Sequence, residues 1–227
     1  MSPREDGTAG LASLLQGRAQ DAAPGLLGCL LVAASGDGRV VLRVTEVEAY
    51  AGVGEDPGSH AHKGRRPRNA TMFGRPGLLY VYFTYGMHWC ANVVAHPVTD
   101  GAAGAVLLRA GEVLVGAELA TARRPAAGRE ADLARGPARL TKALAVTGED
   151  DGADLLDPAS RIRLPPAEVP PEEVLCGPRV GVAGPGAPTP WRWWDARSGT
   201  VSAYRAAQPR TRSPQRATGT PAPGGAP

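Results

Sequence analysis

The sequence predicts a single domain that mixes strands and helices, and three observations support this. The chain has 227 residues, a length typical of one domain with a sizeable hydrophobic core. Its 30 glycines and 22 prolines favour many turns and short elements over a bundle of long helices. Segments with a two-residue apolar period occur beside segments with helical spacing, so both kinds of element are expected.

Three regions are predicted along the chain. They are a flexible N-terminus at residues 1–10, one domain at 11–205 and a disordered basic tail at 206–227. The tail is rich in Pro, Arg, Thr, Gly and Ala, which bury too little apolar surface to offset the entropy lost on ordering. Three scattered cysteines without a CxxC pair predict no disulfide framework and no zinc site, and they favour the reducing cytoplasm. No apolar run approaches the length of a membrane span.

The first half of the domain contains the strand of greatest interest. A short helix is expected at 11–16, and the apolar run at 26–32 fits either a buried strand or a buried helix. After a turn at 36–38, residues 40–50 are predicted to form a strand. Its two-residue period places six side chains on one face: Val40, Leu42, Val44, Glu46, Glu48 and Tyr50. Buried carboxylates are costly unless they are paired or used, and the alternative is that the strand emerges into water at Glu46.

Local signals also define the later elements. Turn glycines, an N-terminal helix proline and apolar spacing place their boundaries. They are an irregular loop at 51–75, a hairpin at 78–94, a strand at 103–110, helices at 112–124 and 137–148, and closing strands at 180–182 and 191–204. A loop as long as the first of these is usually functional or disordered.

Positive charge is concentrated in one part of the chain. Between residues 60 and 109 the only acid is Asp100, and the basic residues are Lys63, Arg65, Arg66, Arg68, Arg75 and Arg109. A basic face on a nearly neutral body predicts nucleic-acid binding, although a charge run is more often a solvated loop. Only two of the 25 basic residues are lysines, Lys63 and Lys142, so few amines are available for Schiff-base chemistry.

Nine short motifs together resemble the alkyladenine (3-methyladenine) DNA glycosylase family, in its bacterial branch. They are TEVEAY (45–50), PRN (67–69), MF (72–73), YVY (80–82), YGM (85–87), CAN (90–92), LLR (107–109), GP (136–137) and RVGV (179–182). The resemblance implies an α+β (mixed α/β) domain with a curved, mostly antiparallel sheet, flanking helices and a protruding β-hairpin. It also implies a monomeric enzyme without metal or cofactor that excises damaged purines from double-stranded DNA.

The resemblance assigns catalysis to Glu48 and Arg109. Glu48 is expected to be the general base that activates water to attack the anomeric carbon of a flipped nucleotide, and burial would raise its pKa toward neutrality. Arg109 is expected to hold Glu48 and the water, whereas the alternative is a purely structural ion pair. Glu46 is the weaker carboxylate candidate, with a supporting role.

Aromatic residues are expected to bind the extruded base. Tyr50, His60 and Tyr82 resemble the walls that sandwich it, and electron-rich rings attract a cationic alkylated purine more than a neutral one. His62 competes with His60 for this role. Asn92 resembles the residue that crowds the exocyclic amine of guanine and so disfavours that base.

The remaining assignments concern DNA. Tyr85 resembles the wedge that fills the gap left by the flipped nucleotide. Strand parity points Tyr80 and Tyr82 one way and Phe83 and Tyr85 the other, and we expect Phe83 and Trp89 to pack into the core. Four arginines are expected to hold phosphates without reading sequence: Arg65, Arg66, Arg68 and Arg75.

Two other functions are considered. One is a non-catalytic nucleic-acid-binding module on the same platform, which would not need Glu48 and Arg109 together. The other is a bifunctional glycosylase/lyase, for which Lys63 and Lys142 are the only possible lysine nucleophiles. The sequence does not distinguish among 3-methyladenine, 7-methylguanine, hypoxanthine and ethenoadenine as lesions. The expected location is the cytoplasm, in association with the nucleoid.

The tail provides the first testable prediction. Because residues 206–227 carry arginines but few packing residues, they should add only non-specific affinity that falls with salt. Deleting them should weaken DNA binding at low salt and leave single-turnover base release nearly unchanged. A large drop in that rate at saturating enzyme would contradict the prediction.

Overall fold

An antiparallel sheet is the framework of the fold. The computed structural model describes residues 3–84 and 86–207, apart from the side chains of residues 3–6. The strands are β1 (Leu30–Ser35), β2 (Gly38–Tyr50), β3 (Leu79–Thr84), β4 (His88–Val94), β5 (Ala105–Val115), β6 (Ile162–Arg163), β7 (Val174–Gly177) and β8 (Arg192–Asp195). Their order is β3-β4-β5-β2-β1-β6, and β8 pairs with both β2 and β7. Each of these pairings is antiparallel, which confirms the predicted α+β fold.

Helices flank this sheet. The α-helices are α1 (Pro3–Leu15), α2 (Ala19–Ala22), α3 (Ala117–Arg123) and α4 (Pro137–Leu144), and 3-10 helices lie at Ala23–Leu26, Pro67–Phe73, Glu130–Asp132, Gly148–Asp150 and Gly184–Gly186. Leucines from helices and strands share one main hydrophobic cluster, among them Leu15, Leu26, Leu42, Leu108 and Leu140. In the described part of the chain, no helix is long and apolar enough to cross a membrane.

Several boundaries differ from those predicted at the N-terminal end. Helix α1 begins at Pro3 rather than at residue 11, and the fixed φ of proline suits the first helical position. The ambiguous run at 26–32 contains the end of a 3-10 helix and the start of β1. The turn at 36–38 is confirmed, since Ser35 pairs with Gly38 to close the β1–β2 hairpin. Most of the predicted tail, from residue 208 onward, lies outside the described residues.

The helix predicted at 112–124 is wrong at its start. Strand β5 continues through Val115, where its residues pair with β2, and α3 begins only at Ala117. Gly116 separates the two elements with φ 78°, and a Cβ there would lie 2.3 Å from the carbonyl oxygen of Arg39. Cross-strand pairing therefore prevails over the helical spacing of this segment, and a glycine allows the abrupt change.

An irregularity shared by β2 and β5 determines which way the carboxylates point. The register shifts between Val44 and Glu46 and again between Glu46 and Val47. The β2 side chains in the main cluster are Val40, Leu42 and Val44 before the irregularity, and Val47 and Ala49 after it. The prediction of one common face is therefore wrong. The bulged backbone turns Glu46 and Glu48 away from the main cluster, as such irregularities commonly do beside active sites.

Gly111 lies at this irregularity, opposite Val44, and its substitution tests the packing there. A Cβ on Gly111 would lie 2.4 Å from the Leu42 side chain and 2.8 Å from the Arg43 carbonyl oxygen. Gly111→Ala should lower the free energy of unfolding by about 1–3 kcal/mol, because the backbone must move. Gly128→Ala is the matched control in denaturant unfolding, since nothing lies within 4 Å of its added Cβ. Equal stability of the two variants would refute the close packing.

Candidate active site

A cavity of about 540 Å³ lies among β2–β5, the loop that follows β2 and the turn at 180–183. It is large enough for a small ligand. The predicted site residues that line it are Tyr50, His60, Tyr82, Asn92 and Arg109. His60 lines this cavity and the competing His62 does not. The fold thus brings together residues that are widely separated in the chain.

Glu48 lies behind the wall of this cavity and is fully buried. Its Oε2 accepts hydrogen bonds from the Tyr50 hydroxyl at 2.8 Å and from Arg109 Nη1 at 3.2 Å. Its Oε1 accepts the Val180 N–H at 2.6 Å. Burial raises the pKa of Glu48 above its usual 4.5, while these three donors oppose that rise by stabilising the ionised form. The carboxylate is therefore oriented, dry and suited to accept a proton.

Arg109 is shared between two buried carboxylates. Its Nε donates to Glu46 at 2.8 Å, and its Nη1 donates to Glu48. Glu46 also accepts from Arg192 Nε at 2.6 Å, and from the N–H and hydroxyl of Ser202 at 2.7 and 2.9 Å. Neither carboxylate lines the cavity itself, but all three donors to Glu48 do. Glu46 has its acceptor positions filled by protein donors, and two of its three donor residues, Arg192 and Ser202, lie outside the cavity lining, which fits a supporting role. Arg192 and Ser202 belong to none of the sequence motifs and were missed.

The turn at 180–182 supplies one of the donors to Glu48, and the strand predicted there is wrong. Its backbone donors do not enter a strand ladder, because Val180 N–H bonds Glu48 and Gly181 N–H bonds the carbonyl of Arg205 at 2.9 Å. The two-residue alternation of the motif therefore gave the wrong secondary structure. Its backbone nevertheless contacts the central carboxylate.

The loop after β2 is held by Asn69, which is fully buried. Its Oδ1 accepts the Arg66 N–H at 2.6 Å, and its Nδ2 donates to the carbonyls of His60 and Gly64 at 2.8 and 3.2 Å. Asn69 also belongs to a 3-10 helix at Pro67–Phe73 within the predicted irregular loop. The amide side chain thus fixes the loop segment that carries His60.

Three rings form one side of the cavity. Tyr80 and Tyr82 stack with ring centres 5.6 Å apart, and His60 meets Tyr82 edge to face at 4.6 Å. His60 Nδ1 lies 2.9 Å from the Tyr80 hydroxyl. Burial lowers the pKa of His60, and the nearby Arg68 lowers it further, so the imidazole is neutral at pH 7. Tyr80 is a cavity residue to which the sequence assigned no role.

The outer part of the β3–β4 hairpin differs from its prediction. Phe83 contacts Trp89 with ring centres 4.7 Å apart, but Phe83 is 51% exposed. The expectation of core packing is therefore wrong for Phe83 and holds for Trp89, which packs against the main cluster. The hairpin itself is confirmed, with Gly86 in its turn at φ 68°. Tyr85, the expected wedge, lies outside the described residues.

The four arginines expected to hold phosphates are Arg65, Arg66, Arg68 and Arg75, and all are exposed. Arg75 forms an ion pair with Asp154 at 2.6 Å, so it is less available to a phosphate than the other three. Among the residues that the structure describes, no group of three or more His, Cys, Asp and Glu side chains could hold a metal ion.

Comparison with known proteins matches residues 13–199 to methylpurine-DNA glycosylase. The chain belongs to the methylpurine-DNA glycosylase family. The bacterial resemblance predicted from the motifs is confirmed by relatives provisionally named 3-methyladenine DNA glycosylases. That of Streptomyces avermitilis is 54% identical, over 85% of this chain and 90% of its own. Those of Leifsonia xyli and Nocardia farcinica are 53% and 51% identical, over 82% and 78% of this chain and 87% and 84% of their own.

Proposed function

We propose that this glycosylase flips alkylated or deaminated purines out of double-stranded DNA and hydrolyses the N-glycosidic bond, leaving an abasic site. Family membership gives a DNA repair glycosylase with DNA as its substrate. The observation that carries the proposal is the buried Glu48 carboxylate, held by three donors directly behind an aromatic cavity. Extrusion is needed because the reacting atoms of a stacked base are inaccessible inside a duplex.

Glu48 is assigned the role of general base. Its ionised carboxylate takes a proton from a water molecule as the water oxygen attacks the anomeric carbon. The N-glycosidic bond breaks, and its electron pair leaves with the purine. A purine alkylated on a ring nitrogen is positively charged, so it departs as a neutral molecule. Arg109 donates to both Glu46 and Glu48 and so keeps the Glu48 carboxylate oriented.

The cavity walls are assigned to substrate selection. Tyr50, His60 and Tyr82 offer aromatic contacts, each of which favours a cation by about 0.5–2 kcal/mol. His60 is neutral and therefore does not repel a cationic purine. Asn92 is buried and donates to the Tyr80 carbonyl at 3.0 Å, so it is fixed beside the cavity and can crowd the amine of guanine.

DNA contacts complete the proposal. Tyr85 is assigned as the wedge, by resemblance alone. Arg65, Arg66 and Arg68 are assigned to phosphates, with Arg75 in a lesser role because of its ion pair with Asp154. A monomeric state and a nucleoid-associated cytoplasmic location belong to the same proposal.

The lyase alternative is not favoured by the site. Neither Lys63 nor Lys142 is among the described residues that line the cavity, and a Schiff base would need an amine there. The non-catalytic alternative conflicts with membership of a glycosylase family.

Glu48→Gln is the experiment that tests the proposal. Glutamine keeps the shape of glutamate but cannot take a proton from water, so single-turnover release of base from methylated DNA should fall by about 10²–10⁴-fold. Affinity for lesion-bearing DNA should stay the same or improve. Glu46→Gln should cost clearly less, and it is the control for removing a nearby buried charge. Release by Glu48→Gln at a near wild-type rate would show that Glu48 is not the base.

The pH dependence provides a second test. A general base works only when ionised, so the rate should fall at acid pH, and the raised pKa places this fall above the usual range of a glutamate. Tyr50→Phe keeps the ring but removes a donor to the carboxylate. The pKa of Glu48 should therefore rise further. The acid limb, meaning the fall in rate on the acid side of the pH–rate profile, should move to higher pH. Tyr82→Phe, which removes a cavity hydroxyl that does not bond Glu48, should leave the limb in place. Superimposable Tyr50→Phe and wild-type profiles would contradict this assignment.

A further inference from the structure

Arg179 is fully buried and ties together three segments around the cavity. Its Nη1 and Nη2 bond Asp56 Oδ2 and Oδ1 at 2.5 and 2.8 Å. Nη1 also donates to the carbonyl of Ala49 at 2.9 Å, and Nη2 to that of Gly186 at 3.4 Å. One guanidinium therefore fastens the end of β2, the loop after it and the 3-10 turn at Gly184–Gly186.

The same guanidinium lies against an aromatic wall of the cavity. Its central carbon is 4.7 Å from the ring centre of Tyr50 and 5.2 Å from that of Trp191. Tyr50 lines the cavity and Arg179 does not, so the guanidinium can act on the cavity through the Tyr50 ring. The next residue along the chain, Val180, donates its N–H to Glu48. Arg179 is thus next to Tyr50 in the cavity wall and to Val180, whose N–H donates to Glu48.

Asp56 holds the balancing charge in a fixed position. Besides the two bonds from Arg179, its carboxylate accepts the N–H of Gly58 at 2.9 Å and that of Ala51 at 3.3 Å. The carboxylate is 1% exposed, so water does not screen the pair. Each partner left alone would be an uncompensated buried charge. Arg179 lies 4.7 Å from the Tyr50 ring centre, and Asp56 bonds the N–H of the next residue, Ala51.

We propose that the Arg179–Asp56 pair positions Tyr50 and the Val180 amide, and that Asp56 neutralises Arg179 so that Tyr50 can still attract a cationic purine. This inference rests on the proposed function. An aromatic ring attracts cations through its electron-rich faces. A bare cation on one face would repel a second cation across the ring, whereas a neutral pair leaves the cavity face usable. Arg179 is a positioning residue, since it does not line the cavity.

The test uses the full chain and two lesions in the same duplex, cationic 3-methyladenine and neutral hypoxanthine, neither of which carries the guanine amine that Asn92 is proposed to crowd. Arg179→Gln leaves Asp56 unpaired, so the ratio of single-turnover rates, cationic over neutral, should rise by about threefold or more. Asp56→Asn leaves Arg179 unpaired, and the ratio should fall by about the same factor. The double substitution restores the wild-type net charge. It should return the ratio to near its wild-type value, while both rates stay low because Tyr50 and Val180 are no longer held.

The acid limb gives an independent readout, because Glu48 and Arg179 attract each other. Losing the cation should move the limb to higher pH in Arg179→Gln, and losing Asp56 should move it to lower pH in Asp56→Asn. A purely structural role predicts shifts in the same direction, or none, for both single variants, and either result would overturn the inference.

Folding is checked by circular dichroism, because a single substitution can destabilise a buried pair. If either Arg179→Gln or Asp56→Asn unfolds the chain, the double variant and Arg179→Lys test the positioning role instead. Both should lower the two rates at least tenfold, with the rate ratio unchanged, and wild-type rates in either would overturn the positioning role. Failure of the proposed function itself is distinct, since wild-type protein would then release neither base.

Discussion

Two buried carboxylates on one strand need buried cations beside them, and that requirement organises the centre of this glycosylase. Glu46, Glu48 and Asp56 are almost completely buried. They form ion pairs with Arg109, Arg179 and Arg192, which are also buried. The six formal charges cancel, and buried ions are tolerated only under such pairing. Because these residues come from strands, a loop and a turn far apart in the chain, the charge pairing joins the parts of the fold that surround the cavity.

The sequence predicted the locally encoded parts of this arrangement. Gly36 to Gly38 and Gly86 mark turns, and both turns are present: the first joins β1 to β2, and the second lies in the predicted hairpin of β3 and β4. Tyr50, Tyr82 and Arg109 from the motifs meet at one cavity with His60, as the resemblance to a family implied. Such features depend on residues close together in the chain or on patterns specific enough to be matched as a set.

The parts that the sequence missed depend on distant partners. The orientation of Glu48 follows from a register shift against β5, to which Gly111 contributes from more than sixty residues away. Arg192 and Ser202 each bond Glu46, but nothing in their own neighbourhood distinguishes them from surface residues. Ser202 even lies beyond residue 199, where the family match ends. A two-residue period assumes a regular strand, so it could not show that the bulge turns the carboxylates out of the core.

Charge is arranged differently outside and inside the molecule, and this difference fits the proposed chemistry. Exposed Arg65, Arg66 and Arg68 can attract a phosphate backbone, and their charge needs no buried partner. Around the cavity the cations are neutralised by carboxylates, and the lowered pKa of His60 keeps that ring uncharged. Under the proposed function, a cationic purine in the cavity would therefore meet aromatic surfaces without a bare positive charge behind them. The paired arginines hold the carboxylates in place, whereas Arg65, Arg66 and Arg68 carry the exposed charge that the proposal assigns to DNA phosphates.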